Sequence, residues 1–260
     1  MRSALSTAGA ALAQLLISLP LGKCALVHKN KTVSPELLQR LKQTTAVAEA
    51  VLCKQPLGTT CPFGRGWWSR MGHSGQVEEE IALLHSLSAD KDVRTVCEIG
   101  FNAGHSAVAM LEGHNHVALV EFDLLGMLYS KAAKKALEKS YPNRTRFFQG
   151  SSQMTVPQYA ILVAADPVRN PPCDLWMVDG DHNTGALLDL RAAVNASRDG
   201  AVIVADDCTR KRHPHVVQSW RRMVSAGWVV GYASNPDPNA KPNPDPNPNP
   251  SPTLVVSTEL

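Results

Sequence analysis

Residues 93–106, VRTVCEIGFNAGHS, constrain the fold more than any other stretch of the chain. The stretch begins as an apolar run through Val93, Val96 and Ile99 and ends in a turn containing Gly100 and Gly104. A short apolar run closed by glycines is the pattern of a buried parallel strand feeding a helix. Glycine takes backbone angles closed to other residues and leaves room for a ligand. The next helix would start near Gly104 or His105, its free N–H groups facing the turn. Glu98 falls at the strand's carboxyl end, the edge where open α/β sheets bind ligands. A carboxylate there suits a ligand bearing a cation or hydroxyls, not a pyrophosphate. The spacing is Glu-x-Gly-x-x-x-Gly, not the Gly-x-Gly-x-x-Gly of dinucleotide folds.

From residue 93 onward strands alternate with helices. The spans 117–122, 145–149, 175–178 and 201–205 read as four further strands, and helices are expected over 124–139, 185–196 and 215–226. That alternation implies a parallel sheet with helices on both faces. Upstream, Ser34-Pro35-Glu36 reads as an N-cap with proline at the first helical position, opening a helix that runs to residue 53. Leu37, Leu38, Leu41, Val47 and Val51 recur along it. A second helix is expected over 76–87, where Glu78, Glu79 and Glu80 fill a capping and solubility role. Trp67 and Trp68 follow a loop and read as packing for the N-terminal helix. Near the end, apolar runs at 228–233 and 253–257 flank a Pro/Asn-rich segment, 235–252, too polar and too poor in backbone donors to pack. With no helix between them, the two runs predict an antiparallel hairpin with a disordered tip. The expected class is α/β, a Rossmann-like, mostly parallel seven-stranded sheet ending in that hairpin.

Two acidic clusters carry the chemistry. Val178-Asp179-Gly180-Asp181-His182 follows the fourth strand and Ala205-Asp206-Asp207-Cys208 the fifth. Adjacent parallel strands would bring both to one sheet edge, beside the glycine turn. Carboxylates so close repel one another unless protonated or bridged by a cation. Aspartate oxygens suit a hard divalent ion, Mg²⁺ or Ca²⁺, which polarises a hydroxyl and lowers its pKa. His213 and His215, in a His-Pro-His run, read as surface or helix-start histidines.

In these motifs the chain resembles the class I S-adenosylmethionine (SAM)-dependent methyltransferases. Among them it is similar to the cation-dependent O-methyltransferases of the catechol, caffeoyl-CoA and sugar types (methyltransferase family 24-like). The resemblance runs from about residue 75 to 233, or to 257 with the hairpin. It implies that Glu98, Gly100, Phe101, Asn102, Gly104 and Ser106 surround the methionine part of SAM. Glu121 or Asp123, ending the second strand, would hold the ribose, and the sequence does not say which points inward. Gly150, Ser151 and Ser152 resemble the adenine-contacting turn of the catechol enzymes. Asp179, Asp206 and Asp207 stand where those families hold Mg²⁺ or another divalent cation, and the Asp-Asp form is closer to the sugar enzymes. The catechol enzymes place a lysine base three residues past the first metal aspartate; this chain has His182 there. Histidine is a competent base near neutral pH. Asp179 is the other candidate base, and both border the donor. The expected reaction is methylation of a hydroxyl on a small-molecule or glycan acceptor. The alternatives are a metal-independent methyltransferase and a non-catalytic secreted binding domain on the same fold.

A chain of 260 residues fits one such domain with extensions. We expect a signal peptide or anchor at 1–25, a helical extension at 26–74 and the SAM-dependent domain at 75–260. A net charge of +3 with no basic stripe excludes nucleic acid as the expected partner. Residues 4–21 are apolar and uncharged behind Met1 and Arg2, the pattern of a secretory signal peptide or an uncleaved membrane anchor. Either directs the chain to the secretory pathway or to a membrane or organelle. Glycosylation acceptor triplets at Asn30, Asn143 and Asn195 lean the same way. The six cysteines fit no zinc pattern. Cys53 and Cys61 flank a loop and would pair in an oxidising compartment, whereas Cys97 reads as a buried apolar residue.

Overall fold

The computed structural model describes residues 33–52, 74–208, 213–231 and 254–257. Helix α1 (Pro35–Leu52) begins at the expected cap: Ser34 Oγ accepts the Leu37 N–H at 3.2 Å. A short 3₁₀ turn, Ser74–Gln76, leads into α2 (Glu78–Ser88). There follow β1 (Thr95–Ile99), α3 (His105–Gly113), β2 (Ala118–Asp123), α4 (Ser130–Ser140), β3 (Thr145–Gln149) and α5 (Ser152–Ala165). The chain continues through β4 (Cys173–Val178), α6 (Ala186–Asn195), β5 (Ser197–Ala205), α7 (Pro214–Ser225), β6 (Val230–Gly231) and β7 (Leu254–Ser257).

Five parallel strands in the order β3-β2-β1-β4-β5 make the centre of the sheet. Alternate residues bury themselves on opposite faces. Val96, Leu119, Met177 and Val204 pack against α1 to α4, while Ile99, Phe122, Trp176 and Ile203 pack against α5 to α7. Burial on both faces is why β1, β2 and β4 read as near-continuous apolar runs.

Four expectations need correction. The C-terminal strands are not an antiparallel hairpin: β7 pairs in parallel with both β5 and β6. Parallel neighbours need a crossover of a dozen or more residues, and the segment between them, 232–253, is long enough to make one. Helix α5 was not expected, because Pro157 lies inside it and its apolar residues show no helical stripe. Helix α4 starts six residues later than expected, because the Asp123 carboxylate accepts the Leu125 N–H and holds a turn, with Leu125 at φ 51°. Finally, Cys97 is not a lone apolar residue. It forms a disulfide with Cys173, joining β1 to β4, and both are fully buried.

The segments expected as signal peptide (1–25) and disordered tip (235–252), the Trp67-Trp68 pair, and Cys53 with Cys61 lie outside the described residues. Among the described residues, no helix is long and apolar enough to cross a membrane.

Candidate active site

The parallel ladder runs one residue past each strand and sets the connecting turns side by side. Gly150 N–H donates to the Asp123 carbonyl at 3.0 Å, Gly100 N–H to Phe122 at 3.1 Å, Asp179 N–H to Ile99 at 2.8 Å and Asp206 N–H to Val178 at 3.0 Å. The glycine turn and both acidic clusters therefore share one rim. The approach is close: at Gly100, φ 101°, an added Cβ would lie 2.0 Å from the Asp179 carbonyl oxygen. Only glycine fits there.

The turn after β1 is held largely through backbone. Phe101 N–H donates to Asp123 Oδ2 at 2.8 Å, while its ring is buried edge-on against Phe147. Asn102, at φ 50°, accepts the Tyr129 hydroxyl on Oδ1 at 2.6 Å and the Ser130 hydroxyl on its carbonyl at 3.0 Å. Gly104 caps α3 at φ 86°. The N-terminal helix braces this turn, with Thr45 Oγ1 2.9 Å from His105 Nε2.

Glu98 and Glu121 are register partners on β1 and β2 and are both fully buried. Ser106 Oγ donates to Glu98 Oε1. Burial, above all, raises the Glu98 carboxyl to about 8, against the Glu121 and Ser106 hydrogen bonds that favour its ionised form. Glu121 is raised well above its ordinary value, by burial and then by the Glu98 charge. Asp123 is the acid of this strand that reaches the surface. In the next turn Ser151 is exposed, but Ser152 Oγ donates to Asp189 Oδ1 at 2.8 Å, so its hydroxyl braces α6.

Asp179, Asp206 and Asp207 each offer a carboxylate oxygen within 4.8 Å of the others. His182 Nε2 lies 3.0 Å from Asp179 Oδ1 and 3.1 Å from Asp207 Oδ2. Burial raises Asp179 to about 7; the His182 hydrogen bond opposes the shift and the Asp206 charge adds to it. His182 is raised above its ordinary value, chiefly by its hydrogen bond to Asp179. The His182 ring thus bridges carboxylates that otherwise repel one another, and a divalent cation fits the same oxygens.

Three residues here are not marked by the sequence. Glu80 is not a solubility residue. It projects from α2 into the core at 2% exposure, and neither oxygen meets a hydrogen-bond partner at bonding geometry. Burial raises its pKa, as do Asp206, Asp179 and Glu98, while the Ser74 hydroxyl opposes the shift. In a run of three glutamates nothing marks the one that turns inward. Asp189, fully buried, accepts the Asp181 N–H and the Ser152 hydroxyl and so fixes the loop carrying Asp179 and His182. His213, expected at the surface or at a helix start, is the N-cap of α7 and stands 3.5 Å from Asp207 Oδ2.

Beside the acidic clusters lies a crevice of about 10 Å³ lined by Val178, Gly180, Asp206 and Val216. A larger cavity, about 70 Å³, lies between α1, α3 and α4 and reaches the glycine turn at Ala103.

Residues 97–208 match the family model described as a methyltransferase domain. The fold is similar to that of cofactor-bound Rv0187 from MTB, 21% identical over 73% of this chain and 78% of that one, with a TM-score of 0.52. It is also similar to the O-methyltransferase TomG of Streptomyces achromogenes, solved with SAM (21% identity, 74% and 78% coverage, TM-score 0.48). An O-methyltransferase from Bacillus cereus solved with SAH matches at 17% identity, 81% and 82% coverage and a TM-score of 0.49. Among curated proteins none matches significantly.

Proposed function

We propose a reaction for what is, by its domain and fold, a class I SAM-dependent methyltransferase: transfer of the donor methyl to a hydroxyl of a small molecule or sugar, assisted by a divalent cation. The observation that carries it is the convergence of Asp179, Asp206 and Asp207 on one rim with the glycine turn. Three carboxylates at that spacing fit a divalent ion, which when bound would polarise the acceptor hydroxyl. Buried carboxyls at Glu80, Glu98 and Glu121 fit a donor carrying a sulfonium and an ammonium.

Within this reading Glu98, Ser106 and the turn from Gly100 to Gly104 hold the methionine part of SAM. Asp123, with Glu121 behind it, receives the ribose, and Gly150 and Ser151 border the adenine. Asp179 or His182 takes the acceptor proton. The acceptor oxygen bonds to the methyl carbon as the carbon–sulfur bond breaks, leaving neutral S-adenosylhomocysteine. Little else is needed beyond in-line positioning of the acceptor oxygen against the methyl carbon.

The enzyme would act in the secretory pathway. The Cys97–Cys173 disulfide suits an oxidising compartment, Asn143 and Asn195 are both exposed, and residues 4–21 have the composition of a signal peptide or anchor. The acceptor would then be a glycan or an exported small molecule.

The test is methyl transfer to hydroxyl acceptors with and without chelator, alongside donor affinity. Chelation should abolish turnover and leave SAM binding intact. Asp206→Ala should lose about 100-fold in turnover while donor affinity changes little. An equal loss of both would count against a metal role.

A further inference from the structure

The Asp207 carboxylate belongs to two donor sets at once. With Asp179 and Asp206 it forms an all-oxygen set; with His182 and His213 it forms a second, and within each set the ligand atoms lie within 4.8 Å of one another. His182 Nε2 is 3.1 Å and His213 Nε2 3.5 Å from the same atom, Asp207 Oδ2, and the ring centroids are 4.7 Å apart. One protonated imidazole suffices for an ion pair, so a second ring on the same oxygen exceeds that need. Behind this group the buried Glu80 carboxyl, without a partner at bonding geometry, faces Asp206 and Asp179. Asp179 and Asp207 pair with imidazoles.

We infer that His182 and His213 join the three aspartates as ligands, so that the site selects a first-row transition ion such as Mn²⁺, Co²⁺ or Zn²⁺ over Mg²⁺. The inference rests on the metal-assisted reading above and sharpens it. Mg²⁺ prefers oxygen donors in near-ideal octahedral geometry and gives up its waters reluctantly. Imidazole nitrogen suits the later divalent ions, whose affinities rise along the first row towards copper. Three carboxylate oxygens and two imidazole nitrogens leave a sixth position for an acceptor hydroxyl. With Nε2 on the ion, His182 is no longer free as the base, and the proton goes to the outer oxygen of Asp179.

The test titrates the metal-stripped full-length chain with Co²⁺ and, separately, with Mg²⁺, without donor or acceptor. Paramagnetic Co²⁺ shifts the proton resonances of the imidazoles it binds. The wild-type chain should therefore show two shifted imidazole N–H signals, and His182→Gln and His213→Asn one each. Co²⁺ should bind at least about tenfold more tightly than Mg²⁺, and His213→Asn should weaken Co²⁺ by about tenfold or more with Mg²⁺ affinity held within about twofold. Co²⁺ bound without shifted imidazole signals, or no tighter than Mg²⁺, overturns the inference. In that case Mg²⁺ binding that is lost in Asp206→Asn leaves the oxygen site standing. Binding of neither ion overturns both readings. The wild-type spectrum decides even where a variant fails to fold.

Discussion

At the scale of single residues, the rim concentrates acids that burial makes costly to ionise. Glu98 and Glu121 face each other across β1 and β2 with both carboxyls raised, Glu98 to about 8. A raised folded-state pKa means that the native protein holds its proton at a pH where the unfolded chain has released it. Such a group leaves stability untouched below the unfolded value, near 4.5, and lowers it progressively as pH climbs to the folded value. Stability of the donor-free protein should thus fall between about pH 4.5 and pH 8, as measured by urea unfolding across that range. Glu121→Gln removes one of the two acids and should flatten the slope, gaining about 1.4 kcal/mol for each tenfold excess in proton affinity that the substitution abolishes. A slope unchanged in the variant would mean that the pair is hydrated and not buried. Bound donor should reverse the sign, because its cations reward ionised carboxylates.

At the scale of elements, the loop after β4 is held from behind. Asp189, in the first turn of α6, accepts the Asp181 N–H at 3.0 Å and the Ser152 hydroxyl at 2.8 Å. Asp189→Ala leaves both donors unpaired in a buried setting, at about 1–3 kcal/mol for each. The thermal midpoint should fall, and metal affinity should fall with it, because Asp179 and His182 ride on the same loop. A variant that lost stability but kept full metal affinity would show the loop to be positioned from elsewhere. Asp189 also shows why some of the site was hidden in the sequence. The glycine turn and the two Asp-rich strand ends were legible because strand, turn and acid are contiguous there. Glu80, Asp189 and His213 were not, because each reaches the rim from a helix or a helix start, and nothing in their neighbourhood marks which side chain points inward. The same limit applied to the elements. The β1, β2 and β4 runs declared themselves by near-continuous burial, whereas α5 was masked by Pro157 and by apolar residues on every side. The parallel pairing of β6 and β7 depends on residues between them that carry no periodic signal.

At the scale of the whole molecule, one covalent link ties the two halves of the sheet across the strands that carry the chemistry. Cys97 and Cys173 are 76 residues apart in sequence, and their bond joins β1, which leads into the glycine turn, to β4, which leads into Asp179. In the chain-entropy account, closing a loop of that length restricts the unfolded ensemble by about 4 kcal/mol. A Cys97→Ala/Cys173→Ala double variant should lose about that much, and the midpoint should drop by about 10 °C, at about 2–4 °C per kcal/mol for a chain of this size. Both sulfurs are fully buried, so a thiol reductant should act only through unfolding. Cys97 and Cys173 should resist alkylation after brief reduction of the native protein, and both should be modified once the reduced protein is denatured, as read by peptide mapping. Rapid reduction of the native fold would show instead that the β1–β4 seam opens readily.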